Sequence, residues 1–142
     1  MIQKETHVTT EPKELAYEFL KGHRLGVLAT GRKDGSPQQA LIAYQFDGKE
    51  FAIRTSDDSA KTKNIRKRNR VSLSVTDGPK VVVVYGRARV AAGQEAAPYL
   101  ERFAQQQRPA GAGPARPQRQ QSGEPVVIVV TPEKYMDARL EG

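Results

Sequence analysis

Short apolar segments separated by turn residues run through most of this 142-residue sequence and restrict it to a β-rich fold. Some alternate apolar and polar residues, as a strand with one buried face does, and others are continuously apolar, as a strand covered on both faces is. Asp47-Gly48 and Asp77-Gly78 are tight-turn signals between neighbouring segments. The segments are residues 25–30, 37–46, 50–55, 71–76, 81–90 and 126–130. The pattern predicts a mainly β protein, a six-stranded antiparallel barrel with a few helices.

Apolar residues at helical spacing occur only in short stretches between these segments. The predicted helices cover residues 11–21, 59–70 and 94–107. In the last of them, Leu100 and Phe103 are the expected buried contacts. The sequence Thr131-Pro132-Glu133 further predicts a turn into a short final helix. None of these helices is long enough to form a core of its own, so we expect them to pack against the barrel.

The length fits one domain spanning residues 1–142. Residues 1–10 are mostly polar, and we expect them to form a loose lead before the first helix. Residues 108–124 consist mainly of Pro, Gly, Gln and Arg, with no apolar side chain larger than Ala or Pro. Because such a composition cannot form a core, we expect these residues to be a mobile loop.

Several classes of function are disfavoured by what the sequence lacks. It has no cysteine, and its two histidines, His7 and His23, belong to no cluster with metal-ligand spacing, so we expect no metal site. No apolar run approaches the roughly 18 residues that span a bilayer, and no signal-peptide pattern opens the chain, so we expect a cytoplasmic protein. The motifs of serine hydrolases, P-loop enzymes and Rossmann folds are absent. An enzyme of this sequence would need a cofactor to supply its reactive group.

The formal net charge of +7 comes from two stretches. Residues 60–70 and 108–121 contain nine basic residues and no acid, which leaves 14 basic and 16 acidic residues elsewhere. Concentrated positive charge can attract a small polyanion as well as a nucleic acid. Nucleic acid is the less favoured partner, because tryptophan is absent and the basic residues are not interleaved with aromatic ones.

The start of the predicted helix at Ser59 is a candidate anion site. Unpaired backbone N–H groups and the positive end of the helix dipole suit a phosphate there. Lys61 in the first turn would oppose the dipole unless an anion lay between them. The hydroxyls of the same turn belong to Thr55, Ser56, Ser59 and Thr62. An ordinary capped helix with solvated lysines explains the same residues, and both interpretations stay open at this point.

The order of several motifs resembles a known family. The strand LGVLAT, the turn DGSPQ, the segment YQFDGKEFAIRTS, the stretch SAKTKNIRKRNRVSLSV and a later YGRARV occur in that order. This order resembles the split-barrel flavin and deazaflavin proteins of the pyridoxamine 5′-phosphate oxidase-like superfamily, above all the mycobacterial and actinobacterial branch that uses coenzyme F420. The resemblance covers residues 12–92 well and residues 126–136 loosely. It implies a split barrel, a homodimer and an oxidoreductase acting on a small molecule.

The resemblance also implies where the cofactor binds. Its phosphate would lie at Thr55, Ser56, Ser59, Lys61 and Thr62, which is the anion site inferred above. Its ring system would lie along two strands, at residues Gln38, Gln39, Ala40, Leu41, Ile53 and Arg54. Asn64 would reach the cofactor tail or cap the helix. The groove would be completed by a second subunit, and no catalytic side chain is assigned, although Tyr44 and Tyr85 are candidate proton donors.

One departure bears on which cofactor binds. Flavin mononucleotide (FMN) oxidases of the superfamily commonly have Ser-Arg-Lys at the phosphate turn, whereas this chain has Ser59-Ala60-Lys61. A bidentate arginine suits the compact FMN dianion, whereas F420 carries a phosphodiester and an oligoglutamate tail. We therefore expect hydride transfer from reduced F420 to a small unsaturated organic substrate. The alternatives are an FMN-binding oxidoreductase of the same fold, a non-catalytic cofactor carrier and a nucleic-acid-binding barrel.

Overall fold

An antiparallel sheet of eight strands organises the computed structural model, which describes residues 6–106 and 123–141. The strands are β1 (Thr6–Thr9), β2 (Leu25–Gly31), β3 (Pro37–Ala43), β4 (Gln45–Phe46), β5 (Phe51–Ser56), β6 (Arg70–Asp77), β7 (Lys80–Ala91) and β8 (Pro125–Ala138). The helices are α1 (Glu14–Lys21), α2 (Ala60–Lys67) and α3 (Ala97–Gln105). None of these helices exceeds nine residues, so none found in the described ranges could cross a bilayer.

The order of the strands explains how the sheet curls. Neighbouring strands follow the order β3-β2-β6-β7-β8-β5-β4, and β1 pairs with β8 beside that path. Only Tyr44 separates β3 from β4, so the chain itself joins the two ends of the sheet. Strand β3 pairs with β2, whereas β4 pairs with β5, so a split opens between β3 and β5 beyond Tyr44. The prediction of a mainly β split barrel is therefore confirmed.

Apolar side chains from every long strand fill the barrel. Phe51, Leu73, Val84 and Ile128 are fully buried in this main core. Helix α2 covers one end with Ile65. A second cluster lies under α3 and consists of Ala52, Ala91, Ala96, Val127 and Val129, with Leu100 and Phe103 packed against it while only partly buried. The continuous VVIVV segment of β8 thus has both faces covered, as its sequence predicts.

The prediction of six strands is wrong at two places. Residues 6–9 lie in the segment predicted to be a loose lead, but they form β1 on the outer edge of β8, with Thr6 opposite Ala138. Strand β5 pairs with β8 only from Pro125 to Val130, which leaves the later part of that edge open for β1. The predicted strand 37–46 is divided at Tyr44, whose N–H donates to the carbonyl of Arg24 over 2.8 Å.

The predicted final helix is also wrong, because β8 continues without interruption to Ala138. Residues 131–138 lie beside the long strand β7 and pair with it, which satisfies their backbone groups as strand. Pro132 is tolerated there because it sits at a β-bulge opposite Gly86, where the register shifts. A methyl group added to Gly86 would lie 2.2 Å from the Thr131 carbonyl oxygen, so this bulge admits only glycine.

The three predicted helices exist but are shorter than expected. Helix α2 ends at Lys67, because Arg68 is already extended and Arg70 begins β6. Helix α3 begins at Ala97, with Pro98 in its first turn. The predicted mobile loop 108–124 lies outside the described residues except for its last two. Of these, Glu124 accepts the backbone N–H of Asp57 at its carbonyl oxygen and donates its own N–H to the Asp57 carboxylate, beside α2.

Candidate functional site

The start of α2 brings four of the predicted hydroxyl-bearing residues together. Ser59 caps the helix, because its Oγ accepts the N–H of Thr62 over 3.2 Å. Thr55 Oγ1 donates to Ser59 Oγ over 3.2 Å, and Thr62 Oγ1 donates to the carbonyl of Ser56 over 2.8 Å. The Ser59 and Thr62 hydroxyl oxygens are 2.7 Å apart. Since Thr62 uses its proton on Ser56, the proton of this bond comes from Ser59, and the hydroxyls form one directed chain.

This chain of hydroxyls limits which groups could touch a ligand. Thr62 is fully buried, and its hydroxyl serves to fix the turn rather than to face solvent. The side chain of Ser56 points the other way and donates to Asp58 Oδ1 over 2.7 Å. Ser59, which is only partly buried, is the hydroxyl at the mouth of the turn. The first-turn N–H groups of Ala60 and Lys61 have no preceding helical carbonyl, so they add donors at the same place.

Lys61 is the charged group at this helix start. Its side chain is partly buried, and this burial lowers the pKa of the ammonium group from its usual 10.5. The first turn of α2 contains no acidic residue. Among residues 6–106 and 123–141, no side chain forms a hydrogen bond or an ion pair with Lys61. A partly desolvated cation at a helix N-terminus is an arrangement that an anion would stabilise.

A second polar network connects α2 to the strands beside the split. Asn64 Nδ2 donates to Thr30 Oγ1 over 3.0 Å, and Thr30 Oγ1 donates to Gln38 Oε1 over 3.1 Å. Thr30 is buried, whereas the other two side chains are partly exposed. Asn64 is one helical turn after Lys61, so both project from the same side of α2. The helix that carries the anion site is thereby tied to the inner face of β3.

Sequence analysis missed Thr30. The signal was its place in the segment LGVLAT, where it points to the same side as the buried Leu28 and is the one polar side chain there. A polar group on the buried side of a strand needs a hydrogen-bond partner. Its partner Asn64 is 34 residues away along the chain, and only the packing of α2 on β2 reveals it.

The predicted ring contacts do not all lie on one face. Along β3, Gln38 and Ala40 point inward with the buried Ile42, whereas Gln39 and Leu41 point outward. Leu41 is 74% exposed. Along β5, Ile53 belongs to the main core and Arg54 is exposed on the opposite face. Ile53 can therefore offer a ligand only its backbone.

Neither tyrosine considered as a proton donor is well placed for that role. Tyr44 is buried, donates its hydroxyl to the carbonyl of Leu20 over 2.7 Å, and packs edge-on against Phe51. This burial raises the pKa of the Tyr44 hydroxyl well above its usual range. Tyr85 is exposed on the outer face of β7. The structure therefore gives Tyr44 a structural role at the point where β3 becomes β4.

Other concave regions lie away from these residues. A cavity of about 590 Å³ is lined by His7, Lys13, Asp137 and neighbouring residues of β1, α1 and β8. Another, of about 370 Å³, lies between the end of α1 and α3 and includes Tyr44 and Tyr99. Neither includes a predicted cofactor contact. Within the described part of the chain, no group of three acidic or histidine side chains could hold a metal ion.

Comparison with known protein families places this barrel among its relatives. Residues 12–137 match the family described as pyridoxamine 5′-phosphate oxidase. The chain belongs to this family. The matched residues include both flanks of the split, the whole of α2 and the last strand up to Asp137.

Individual proteins show how far the likeness extends. An F420H(2)-dependent biliverdin reductase of Mycobacterium tuberculosis (strain CDC 1551 / Oshkosh) is 32% identical over 113 residues, which cover 78% of this chain and 82% of the relative. A solved structure named F420 Reductase has a TM-score of 0.64 at 26% identity, and the match covers 83% of this chain and 93% of the chain in that structure. General Stress Protein 26 from Bacillus anthracis str. Sterne has a TM-score of 0.64 at 19% identity, covering 86% and 89%, and shares the fold.

Proposed function

We propose that this protein binds coenzyme F420 and uses its reduced form as the hydride donor to a small unsaturated organic substrate. The observation that carries the proposal is Lys61, a partly buried cation at the start of α2 with no partner among the described residues. The 32% identity to an F420H(2)-dependent biliverdin reductase, over most of both chains, supports F420 as the anion that Lys61 meets.

The donor set at the turn fits the phosphodiester of F420. Lys61 supplies one positive charge, and the first-turn N–H groups of Ala60 and Lys61 supply neutral donors. Ser59 caps the turn, and its proton is already donated to Thr62. Ala60 stands where the FMN oxidases carry the second cation of their Ser-Arg-Lys turn, so a compact dianion would be held by lysine alone. A phosphodiester carries a single charge and needs only one such partner.

The remaining predicted residues have separate tasks in this proposal. Lys63, Arg66 and Lys67 are exposed on α2 and offer positive charge to the oligoglutamate tail. Gln38 and Ala40, on the inner face of β3, would border the ring system. The bound cofactor would supply the hydride, and the protein would hold the ring against the substrate and keep water away.

We also propose that a second copy of the chain completes the groove. The outer face formed by β3, β2, β6 and β7 presents Leu25, Leu41 and Tyr85 to solvent, with 60%, 74% and 44% of each exposed. Between them, β6 contributes Ser72 and Ser74, and Gln39 and Thr76 lie on the same face. Three large exposed apolar side chains on one sheet face are typical of a surface that is covered in an assembly.

The test is a titration of cofactor-free protein with F420 and, separately, with FMN, followed by fluorescence at moderate salt. We expect micromolar or tighter binding of F420 and weaker binding of FMN. Tighter binding of FMN would move the protein to the flavin-dependent members of its family. Failure of both ligands to bind would contradict the proposal and leave a carrier of another anion or a nucleic-acid-binding barrel.

Turnover is tested next, with chemically reduced F420 and a panel of acceptors. Biliverdin is the first acceptor to try, because the relative with 32% identity is named for its reduction. Quinones and other electron-poor double bonds complete the panel. Oxidation of reduced F420 that depends on both protein and acceptor would establish a reductase. Tight F420 binding without turnover on any acceptor would instead indicate a cofactor carrier.

A further inference from the structure

We infer that Thr30 and Asn64 are positioning residues, which hold the Gln38 side-chain amide so that its NH2 group, rather than its carbonyl oxygen, faces the cofactor groove. This inference rests on the proposed function for the identity of the ligand. The orientation itself rests on three side chains from three different elements, β2, β3 and α2.

The direction of the network follows from the amide atoms that Asn64 and Gln38 turn toward Thr30. Asn64 Nδ2 can only donate, so Thr30 Oγ1 accepts in that bond. The single hydroxyl proton of Thr30 is then free to be donated, and it goes to Gln38 Oε1. With its oxygen engaged, Gln38 is left with Nε2, which has no hydrogen-bond partner among residues 6–106 and 123–141. The network therefore ends in an unused donor on a partly exposed side chain.

The burial of Thr30 keeps water out of this network. Only 3% of the residue is exposed, so water cannot readily replace either of its hydrogen bonds. Reversing the network would require both amide groups to turn over together. The hydrogen bonds link a partly exposed side chain of β3 to the same helix that carries Lys61, so the positions of Gln38 and Lys61 are coupled through α2.

An unused NH2 group beside an unpaired ammonium suits a ligand rich in acceptor oxygens. Near its ring, coenzyme F420 offers the carbonyl oxygens of the ring and the oxygens of its phosphodiester. Both are hydrogen-bond acceptors, and a carbonyl oxygen of Gln38 in the same place would repel them. The orientation of one amide would thus help to select the ligand without adding charge.

The orientation is tested first in the cofactor-free protein, by hydrogen exchange of the side-chain NH2 groups in NMR spectra. We expect the Asn64 NH2 to be protected, because it donates to a buried hydroxyl, and the Gln38 NH2 to exchange rapidly. In Thr30→Val, which keeps the shape but removes the hydroxyl, protection of Asn64 should be lost. A protected Gln38 NH2 with a rapidly exchanging Asn64 NH2 would overturn the inference.

The effect on binding is tested by a double-mutant cycle between Thr30→Val and Gln38→Met. We expect Thr30→Val to weaken F420 binding about 3- to 10-fold, the range for one neutral hydrogen bond, and Thr30→Ser to bind within about 2-fold of wild type. In the Gln38→Met background, Thr30→Val should change little, because the amide it positions is gone. An equal loss in both backgrounds would show that Thr30 acts only through stability, which thermal unfolding of each variant measures.

The same titrations with the deazaflavin riboside, which lacks the phosphodiester, locate the acceptor. If Thr30→Val weakens the binding of both ligands, the Gln38 donor lies at the ring. If it weakens the binding of intact F420 alone, the donor lies at the phosphodiester. Binding by Thr30→Val equal to wild type for both ligands would overturn the inference. If the exchange pattern is as expected but wild type binds no F420, the proposed function fails while the orientation of Gln38 stands.

Discussion

Lys61 is the residue on which the proposed cofactor site depends most. We expect Lys61→Ala to weaken F420 binding by about 1 to 3 kcal/mol, the range for a charge-assisted contact. Lys63→Ala is the matched comparison and should weaken binding less, because Lys63 lies on the same helix but is exposed and offers its charge only to the tail. Fluorescence titration of both variants checks the prediction. Equal losses in the two would mean that α2 contributes only general positive charge.

The lowered pKa of Lys61 adds a pH dependence. Anion binding needs the charged amine, and burial brings its pKa below the usual 10.5, so F420 affinity should decline in the alkaline range before an ordinary lysine loses its proton. The folding stability of the ligand-free protein should instead increase with pH in this range. Between the folded pKa and 10.5 the unfolded chain binds more protons, and stability therefore rises with pH.

Lys61→Arg tests this pH dependence, because arginine stays charged throughout the range. Calorimetric titrations at a series of pH values should show the decline in wild type and a flatter profile in the variant. The same decline in both proteins would assign the titration to another group.

At the scale of elements, Gly86 controls how β7 meets β8. A methyl group there would lie 2.2 Å from the Thr131 carbonyl oxygen, so Gly86→Ala must displace backbone at the bulge. We expect a loss of about 1 to 3 kcal/mol in the free energy of unfolding, measured by urea denaturation. Gly31→Ala in β2 is the control, since its added methyl meets only Arg68 Cδ at 4.0 Å. An unchanged urea midpoint in Gly86→Ala would show that the bulge can relax.

Local signals determined which elements the sequence could predict. The start of α2 at Ser59 was predictable because a cap is formed by side chains within three residues. The final helix was wrongly predicted because residues 131–138 become strand only through pairing with β7, more than 40 residues earlier. Strand β1 was missed for the same reason, since its four residues pair with the distant β8. The side chain of His7, within β1, also forms a hydrogen bond of 3.0 Å with Asp137 of β8.

The candidate site shows the same contrast between local signals and long-range packing. The grouping of Thr55, Ser59 and Lys61 followed from a strand that leads directly into a helix. The inward and outward division of Gln38 and Gln39 depends on which face of β3 meets the core. Sequence alternation alone does not specify that face when neither face is strongly apolar.

For the whole molecule, the proposed dimer can be tested on its outer face. Leu41 is 74% exposed there, so Leu41→Glu should leave the protomer folded while placing a charge in the proposed interface. We expect sedimentation to show a dimer for wild type and a monomer for the variant, with weaker F420 binding because the groove is incomplete. Leu15→Glu, on α1 and outside this face, should remain dimeric. A wild-type monomer that binds F420 tightly would contradict the shared groove.

The position of β8 in the sheet has a consequence for how the protein is made. This strand pairs with β1, β5 and β7, and only its residues 125–138 complete all three ladders. A nascent chain on the ribosome therefore exposes the apolar edges of these strands until nearly all of this sequence has been translated. We expect the barrel to form late and in one step, and premature termination before residue 125 to yield chains that chaperones or proteases capture rather than a smaller stable domain.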